Sequence, residues 1–576
     1  MYIAGIDVGG TNTDAALIKD DVVVATGKVP TRHDDLVEST EAALETILAA
    51  YQGSAPLELH LSTTLSTNTI VEGRGDPTAV LAVPGPGMRI EELNLGFPVH
   101  ILSGSVDHRG REVAGITAHE VQAALDAAQE AGMAALAVVG KFSHRNPTHE
   151  LQIEALVKEA TQKFRHITLG HRLSGRPNFP RRLATSYLNA GVAGQQALFV
   201  EMVKRLMIRG RNIGKVFLLK ADGGTMTLDD SLARPVETIL SGPAASLMGA
   251  QALTEHPEGN AVIVDIGGTT TDISVQVAGE PVFERQGAEI AGHKTLVPAL
   301  FARSIGLGGD SEVRVISPKD GPSRLQIGPK RAGTPAALGG SKVTPTDAAV
   351  VLELARIGDV NRAREAIADL GAAMGLGIEA AAEAVIERFT QQLVQEIEDT
   401  YTYLESRPVY TISELLAPLD IRPRVLIGLG GPAEVFIPLA GKAMDLTWEV
   451  LPCYKEANAI GAAASRPTAA VTLHADTALG RVTVPEMDYM GEIRRAMLFD
   501  MKKARAEAME WAARKGESLG ITSLGDIAIM EEESFNMVRG FHTVGRIFMI
   551  RAQVRPEVRR ITERGKGETL DADYQA

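Results

Sequence analysis

The chain has 576 residues, 45% hydrophobic and 23% charged, and a net charge of −14, which describes a globular protein of about two to four domains and argues against a general nucleic-acid binder. Its single cysteine, Cys453, excludes an internal disulfide and a cysteine-held metal cluster. The opening MYIAGIDVGG lacks the basic and apolar regions of a signal peptide and no apolar run reaches transmembrane length, so a soluble, cytoplasmic protein with no membrane role is expected.

YIAGIDV is a short apolar run rich in β-branched residues and predicts a strand. GGTN turns the chain, and DAALIKDDVVVATGKV supplies two more strands around the polar turn at Asp20 and Asp21. HDDLVESTEAALETILAAY has helical spacing at Leu36, Leu44, Ile47 and Leu48. Thr117 and Glu120 form a capping-box pattern ahead of VQAALDAAQEAG. The strand AALAVVG and a helix in PTHELQIEALVKEATQKF follow, then a long helix over RRLATSYLNAGVAGQQALFVEMVKRL and a strand in KVFLLKADGG. AVIVDI is another buried strand. The Gly-, Pro- and Lys-rich stretch between about Pro318 and Pro345 reads as loop or short hairpin, and Thr346 to Leu404 as a helical block. RVLIGLGG predicts a strand at 424–431, with a helix in KEANAIGAAAS. From Pro467 the character changes: a helix is expected over GEIRRAMLFDMKKARAEAMEWAARKG, then a strand in RIFMIRAQV, and the polar last dozen residues are expected to fray. Strands alternating with helices imply an α/β fold with helices on the sheet faces.

One motif occurs twice. GIDVGGTNTD starts its Asp-x-Gly-Gly-Thr-x-Thr-Asp run at Asp7, and VDIGGTTTD starts the same run at Asp265. A strand ending in Asp and turning through Gly-Gly leaves backbone N–H groups unshielded, and successive N–H groups in such a turn make an anion-binding concavity. Threonine hydroxyls add donors. The aspartate would repel a bound phosphate unless a cation lay between them, and Mg²⁺ suits that place because it takes oxygen ligands and keeps several waters. Two such turns facing one another hold a nucleoside triphosphate from both sides. RVLIGLGGPAEV, with Gly428, Gly430 and Gly431, is the matching place for a flat base to lie on bare backbone.

The three motifs in this order resemble the actin, hexokinase and Hsp70 ATPase superfamily. Over most of residues 1–465 the chain resembles the hydantoinase A and 5-oxoprolinase family, which also includes the ATP-binding subunit of acetone carboxylase. The carrying stretches are GIDVGGTNTDAAL, STTLSTNTIVEGRG, LSGPAAS, AVIVDIGGTTTD, IGLGGDS, IGPKRAGTPAALGG with TPTDA, and LIGLGGP. The resemblance implies two actin/hexokinase-like (ribonuclease H-like) domains flanking an ATP cleft, over 1–178 and 179–466, with a small α+β region over 467–576. It implies that Gly9, Gly10, Thr11, Asn12 and Thr13 form the first phosphate motif and Gly267, Gly268, Thr269 and Thr270 the second, with the nucleoside by Gly430 and Gly431. Asp7 and Asp265 would be the catalytic carboxylates and the anchors of Mg²⁺. The implied activity is ATP-dependent hydrolysis of a small cyclic amide (hydantoin, oxoproline or lactam-like), ATP phosphorylating the amide oxygen so that the carbon accepts water. A B-type hydantoinase/oxoprolinase subunit is the implied partner, and self-association into a homo-oligomer is compatible with the same reading.

Three positions depart from the family's pattern. Phe301 and Arg303 stand where its Asp-x-His-Thr run is expected, and Asp310 stands where Gly is common; the substrate half of the cleft is the expected location of all three. Two alternatives share the motifs. A small-molecule kinase of the repressor–kinase type would also carry GIDVGGT, though such kinases usually have a Cys-rich zinc motif that one cysteine cannot supply. A non-enzymatic, ATP-switched regulator would need only the nucleotide half.

Other features are open to plainer readings. The hydroxyl cluster of STTLSTNT could bind substrate or cap a helix. Ser241 to Ser246 could pack a helix or reach the cleft. Lys220 and Asp222 could orient substrate or lie in a solvated loop. Asp347 is expected to cap a helix, and Cys453 to be core. Arg181–Arg182 and Arg494–Arg495 are expected on solvated helix faces or in salt bridges. Histidines 60, 144, 171 and 293 show no metal-ligand spacing.

Overall fold

A computed structural model describes residues 1–32, 36–161, 163–208, 212–284, 286–316, 324–407, 420–519, 521, 526–561 and 563–564. The frayed end expected for the last dozen residues, and part of the Gly- and Pro-rich stretch, lie outside them.

The architecture is mixed α/β, with two principal sheets. The first runs, edge to edge, through strands Thr225–Thr227, Ile213–Leu219, Leu57–Thr63, Tyr2–Val8, Asn12–Lys19, Val22–Pro30 and Glu563–Arg564. Tyr2–Val8 and Asn12–Lys19 form the first hairpin, antiparallel and in register, with Asp7 opposite Asp14. Leu57–Thr63 runs parallel beside it and sets Ser62 next to Asp7.

The second sheet repeats this design. Ala261–Ile266 and Thr271–Val277 form the second hairpin, with Asp265 opposite Asp272. Val425–Leu429 runs parallel beside Ala261–Ile266 and places Leu429 next to Asp265. Ala302–Ile305 pairs with the outer strand of the hairpin. Alternation along each strand turns one row of apolar side chains into a core, so Ile6 and Val8 bury below the first sheet while Val264 and Ile266 bury below the second.

Two helices of small residues cross between the sheets, Ser241–Leu253 and Ala457–Ala464. A Cβ on Gly249 would lie 2.2 Å from the Ala457 carbonyl oxygen, and one on Gly461 would lie 2.1 Å from that of Ala245. Glycine is required there because the backbones touch. The second helix also rests on the first hairpin, where a Cβ on Gly5 would meet the Ala459 carbonyl at 1.9 Å.

A four-stranded parallel sheet, Val99–Ile101, Thr78–Val83, Ala135–Gly140 and His166–Leu169, is built from the segment between the first hairpin's neighbours. The capping box at Thr117 and Glu120 is present ahead of helix Ala118–Glu130. The helical block is three helices, Pro345–Val351, Val360–Met374 and Ile378–Glu405. The Gly- and Pro-rich stretch contributes Arg324–Arg331, which pairs with Ser311–Ile316 as a hairpin.

The C-terminal region is a five-stranded antiparallel sheet with helix Met501–Ser518 against it. That helix begins ten residues later than the sequence predicts. Tyr489–Glu492 is a strand, Arg495 has a φ of 58°, and the Asp500 side chain caps the helix by accepting from the Lys503 N–H. Among the described residues no helix is long and apolar enough to cross a membrane.

Candidate active site

The two motif turns close in the same way. Gly9 N–H donates to the Asn12 carbonyl at 3.1 Å, and Gly267 N–H to the Thr270 carbonyl at 2.9 Å. Gly10 and Thr11 are exposed at the first turn, with Asn12 partly so. Gly267, Gly268 and Thr269 are half-buried at the second, and Thr270 is exposed. Thr13, expected among the phosphate donors, is fully buried, and its hydroxyl pairs with that of Thr31 at 2.9 Å just beyond the neighbouring strand. Its counterpart Thr271 is used likewise, donating to the Leu307 carbonyl at 2.6 Å.

The closing aspartate of each motif joins the site. Hairpin partners share a face of the sheet, so Asp14 stands beside Asp7 and Asp272 beside Asp265. The motif contains this information: the turn closes from Gly to the third residue on, and counting outward in pairs puts the first Asp opposite the last. Asp14 and Asp272 were nevertheless absent from the expected site residues.

Asp265 is held firmly. Its Oδ2 accepts from Ser246 Oγ at 2.6 Å and from Asn458 Nδ2 at 3.0 Å. Ser246 therefore gives the LSGPAAS helix a role in the cleft, and Ser241 anchors its start by donating to the Thr63 carbonyl at 2.9 Å. Burial pushes Asp7 up to about 7, against the opposing effect of Ser62 beside it, and the charges of Asp14 and Asp265 push the same way. Burial also pushes Asp272 up to about 7, reinforced by Asp265. Asp14 is raised by burial against the pull of Lys28, whose Nζ lies 2.7 Å from its Oδ1. Asp7 Oδ1, Asp272 Oδ1 and Asn458 Oδ1 are buried with no hydrogen-bond partner among the described residues. Two of these are carboxylate oxygens and one an amide oxygen, the kinds of ligand a hard cation takes. Among the described residues no group of three His, Cys, Asp or Glu side chains is arranged to hold a metal by itself.

The glycine loop abuts the second turn. Gly430 has a φ of +86°, and a Cβ there would lie 2.2 Å from the Ile266 carbonyl and 2.6 Å from Asp265 Oδ1. Gly431 would meet nothing within 4 Å, and so offers an open backbone face, while Gly428 is packed against Ile437.

Several other features fall outside the cleft. Phe301 is core, stacked on Tyr403, and Arg303 donates to Glu396 at 2.6 Å, so both pack against helix Ile378–Glu405. Lys220 and Asp222 are buried and paired at 3.1 Å, with Asp222 also accepting from Gln553 of the C-terminal sheet. Arg182 is fully buried rather than solvated, donating to the Gly140 and Lys141 carbonyls at 2.6 and 2.7 Å. In STTLSTNT, Thr64 bonds the Val8 carbonyl and Thr67 accepts from the Leu240 N–H, tying the helix start to the first turn. Asp347 completes a capping box with Thr344 and accepts from the Ala336 and Ala337 N–H groups.

The family model described as Hydantoinase/oxoprolinase matches residues 182–471, and its N-terminal-region counterpart matches residues 3–161. The chain belongs to the hydantoinase/oxoprolinase family. This family member is 26% identical over 479 residues to caprolactamase subunit alpha of Pseudomonas jessenii, an alignment spanning 76% of this chain and 66% of the relative. It is 25% identical over 398 residues to the acetophenone carboxylase gamma subunit of Aromatoleum aromaticum, spanning 60% of this chain and 52% of the relative. The chain thus aligns with less than two thirds of either protein. The crystal structure of an ATP-dependent caprolactamase from Pseudomonas jessenii superposes with a TM-score of 0.72 at 19% identity, covering 98% of this chain and 89% of the other, so the hydantoinase/oxoprolinase chain shares its fold.

Proposed function

We propose that this chain is the ATP-handling component of an ATP-dependent hydrolase that opens a small cyclic amide. The carrying observation is the pair of matched turns, each closed by the same Gly-to-carbonyl bond and each backed by two facing aspartates. The N–H groups of the Gly9–Asn12 and Gly267–Thr270 turns, with the hydroxyls of Thr11, Thr269 and Thr270, hold the phosphates. The adenosine lies against Gly430 and Gly431. Mg²⁺ fits the donor set, with Asp265 as its principal anchor through water and Asp7 as the opposite one; when bound it neutralises phosphate charge during transfer. Ser246 and Asn458 keep the Asp265 carboxylate oriented.

The γ-phosphoryl group passes to the amide oxygen and ADP leaves. Water then adds to the activated carbon, the ring C–N bond breaks with the nitrogen taking a proton, and phosphate departs. Positioning and charge neutralisation supply most of this catalysis. The likeness to a caprolactamase subunit supports a lactam-type substrate, and the subunit names of both relatives support a partner subunit; in this reading it is a B-type subunit and directs the water. A cytoplasmic location belongs to the same reading, as a compartment that supplies ATP.

The test is phosphate release from Mg-ATP in the presence of lactams, hydantoins and 5-oxoproline, with and without the partner subunit. Substrate-stimulated phosphate release with a ring-opened product is expected. A phosphorylated metabolite, or no nucleotide binding, overturns the reading. A second reading, activation of a ketone, is favoured by the likeness to the acetophenone carboxylase gamma subunit; ketones with bicarbonate in the same screen separate the two.

A further inference from the structure

The two turns differ at one place. A Cβ on Gly10 would meet nothing within 4 Å, whereas one on Gly268, the same position of the second turn, would lie 2.5 Å from Asp310 Oδ2. The bare face of the second turn is therefore covered by a carboxylate, at a position where the family commonly has glycine. The loop at 306–310 delivers it. Gly309 N–H donates to the Gly267 carbonyl at 3.0 Å and Asp310 N–H to the Gly268 carbonyl at 2.7 Å. On its other side the loop meets the nucleoside loop, since a Cβ on Gly309 would lie 2.7 Å from Pro432. Asp310 thus sits between the second phosphate turn and the glycine loop.

A naked carboxylate in that place would oppose a phosphate, and Asp7, Asp14, Asp265 and Asp272 already line the cleft. Asp310 is not naked. Arg331 Nη2 donates to Asp310 Oδ2 at 3.0 Å, and the strand bearing Arg331 is fixed on the same loop by Ala332 N–H donating to the Asp310 carbonyl at 2.8 Å. The Arg331 side chain keeps 34% of its surface exposed. A guanidinium carries five N–H donors in a rigid fork, so one bond to Asp310 leaves others for a second acceptor. Lys28, the cation on strand Val22–Pro30 beside the first hairpin, is already committed to Asp14.

We propose that Arg331 binds and neutralises the phosphate oxygens at the second turn, with Asp310 as the positioning residue that holds it there. The inference rests on the nucleotide reading of the cleft. It makes the two turns unequal: both meet phosphate with backbone and hydroxyl donors, and the second adds a tethered cation.

The experiment is calorimetric titration of the full chain with Mg-ATP, comparing wild type, Arg331→Ala, Arg331→Gln and Asp310→Asn/Arg331→Ala. Arg331→Ala leaves the carboxylate facing the phosphates, and affinity is expected to fall at least about tenfold. The double variant removes that repulsion and is expected to recover part of the loss, a recovery that a merely structural ion pair would not produce. Arg331→Gln keeps a hydrogen bond to Asp310 without the charge, and reports the same loss should the alanine variant not fold. Wild-type affinity in Arg331→Gln or Arg331→Ala, or a double variant no better than Arg331→Ala, overturns the role of Arg331 while leaving the cleft reading intact. Failure of the wild type to bind Mg-ATP overturns both.

Discussion

Asn458 Nδ2 donates to Asp265 Oδ2 at 3.0 Å from a helix that rests, through Ala459, on Gly5 of the first hairpin. The carboxylate of one sheet is thus oriented by a side chain seated on the other. Asp265→Asn keeps the shape and an acceptor oxygen but removes the charge. It is expected to abolish ATP turnover while moving the melting temperature by no more than a few degrees, because the side chain is only half-buried. Normal turnover in that variant would remove Asp265 from the mechanism.

Asp7 should behave differently. Its folded pKa is raised from 3.8 to about 7 by burial and by Asp14 and Asp265. An acid whose folded pKa is raised favours the fold below its unfolded pKa, and loses that contribution as pH rises through the folded value. Above pH 7 the ionised group is therefore a cost. Asp7→Asn is expected to stabilise the nucleotide-free chain at pH 8 by about 1–3 kcal/mol while abolishing turnover. Urea unfolding at pH 8 is the measurement, and a less stable variant would contradict the assignment.

Much of this was legible beforehand. The repeated Asp-Gly-Gly-Thr run, the strand before each copy, and the Gly430–Gly431 turn are local patterns, and local patterns survive folding. Ser246 and Asn458 were not legible as partners of Asp265, because they come from 19 residues before it and 193 residues after it. Nothing in LSGPAAS says which way its last serine points. Arg182 misled for a similar reason. Beside Arg181 it reads as half of a basic pair, yet the carbonyls of Gly140 and Lys141 that make its burial tolerable are set by a different strand end.

An ion network, buried at Glu150 and His171 and exposed at Asp488, links the four-stranded sheet to the C-terminal region. His171 Nδ1 lies 2.6 Å from Glu150 Oε2, and its Nε2 lies 3.1 Å from Asp488 Oδ1. Burial pulls His171 down, but Glu150 and Asp488 overcome it and push the group up to about 9. A histidine raised in this way stabilises the fold fully below its unfolded pKa of about 6.5, and the contribution is lost as pH rises through about 9. Wild-type stability is expected to decline between pH 6.5 and 9.5 by on the order of 3 kcal/mol from this group. His171→Ala should be less stable at pH 6.5 and show a flatter slope; equal slopes by denaturant titration would exclude the network as the cause.

The isolated chain is expected to bind ATP but to open no ring at a useful rate. General-base help for the attacking water must come within hydrogen-bond reach; Asp14 is paired with Lys28, Asp265 is held by Ser246 and Asn458, and the free oxygens of Asp7 and Asp272 are assigned to the proposed cation. Adding a purified B-type subunit should raise ring opening by orders of magnitude. Ring opening by the chain at ordinary enzyme rates, with no co-purifying polypeptide, would show that it needs no partner.

Nucleotide binding is expected to draw the two hairpins together, as ligand-driven hinge closure does. Small-angle scattering with and without a non-hydrolysable ATP analogue should show compaction at saturating ligand. Superimposable curves would mean a rigid cleft.

The crossing at Gly249 and Gly461 bears on that motion. Here carbonyl rests on bare Cα at two points, Gly249 and Gly461, with larger side chains such as Leu247 and Ile460 packed to either side. So close an approach fixes the distance between the two helices more tightly than side-chain packing alone would. Asn458 rides on the same short helix, three residues from Gly461. The close crossing and the clasp on Asp265 therefore share one short helix, so a displacement of that helix would reach the carboxylate directly.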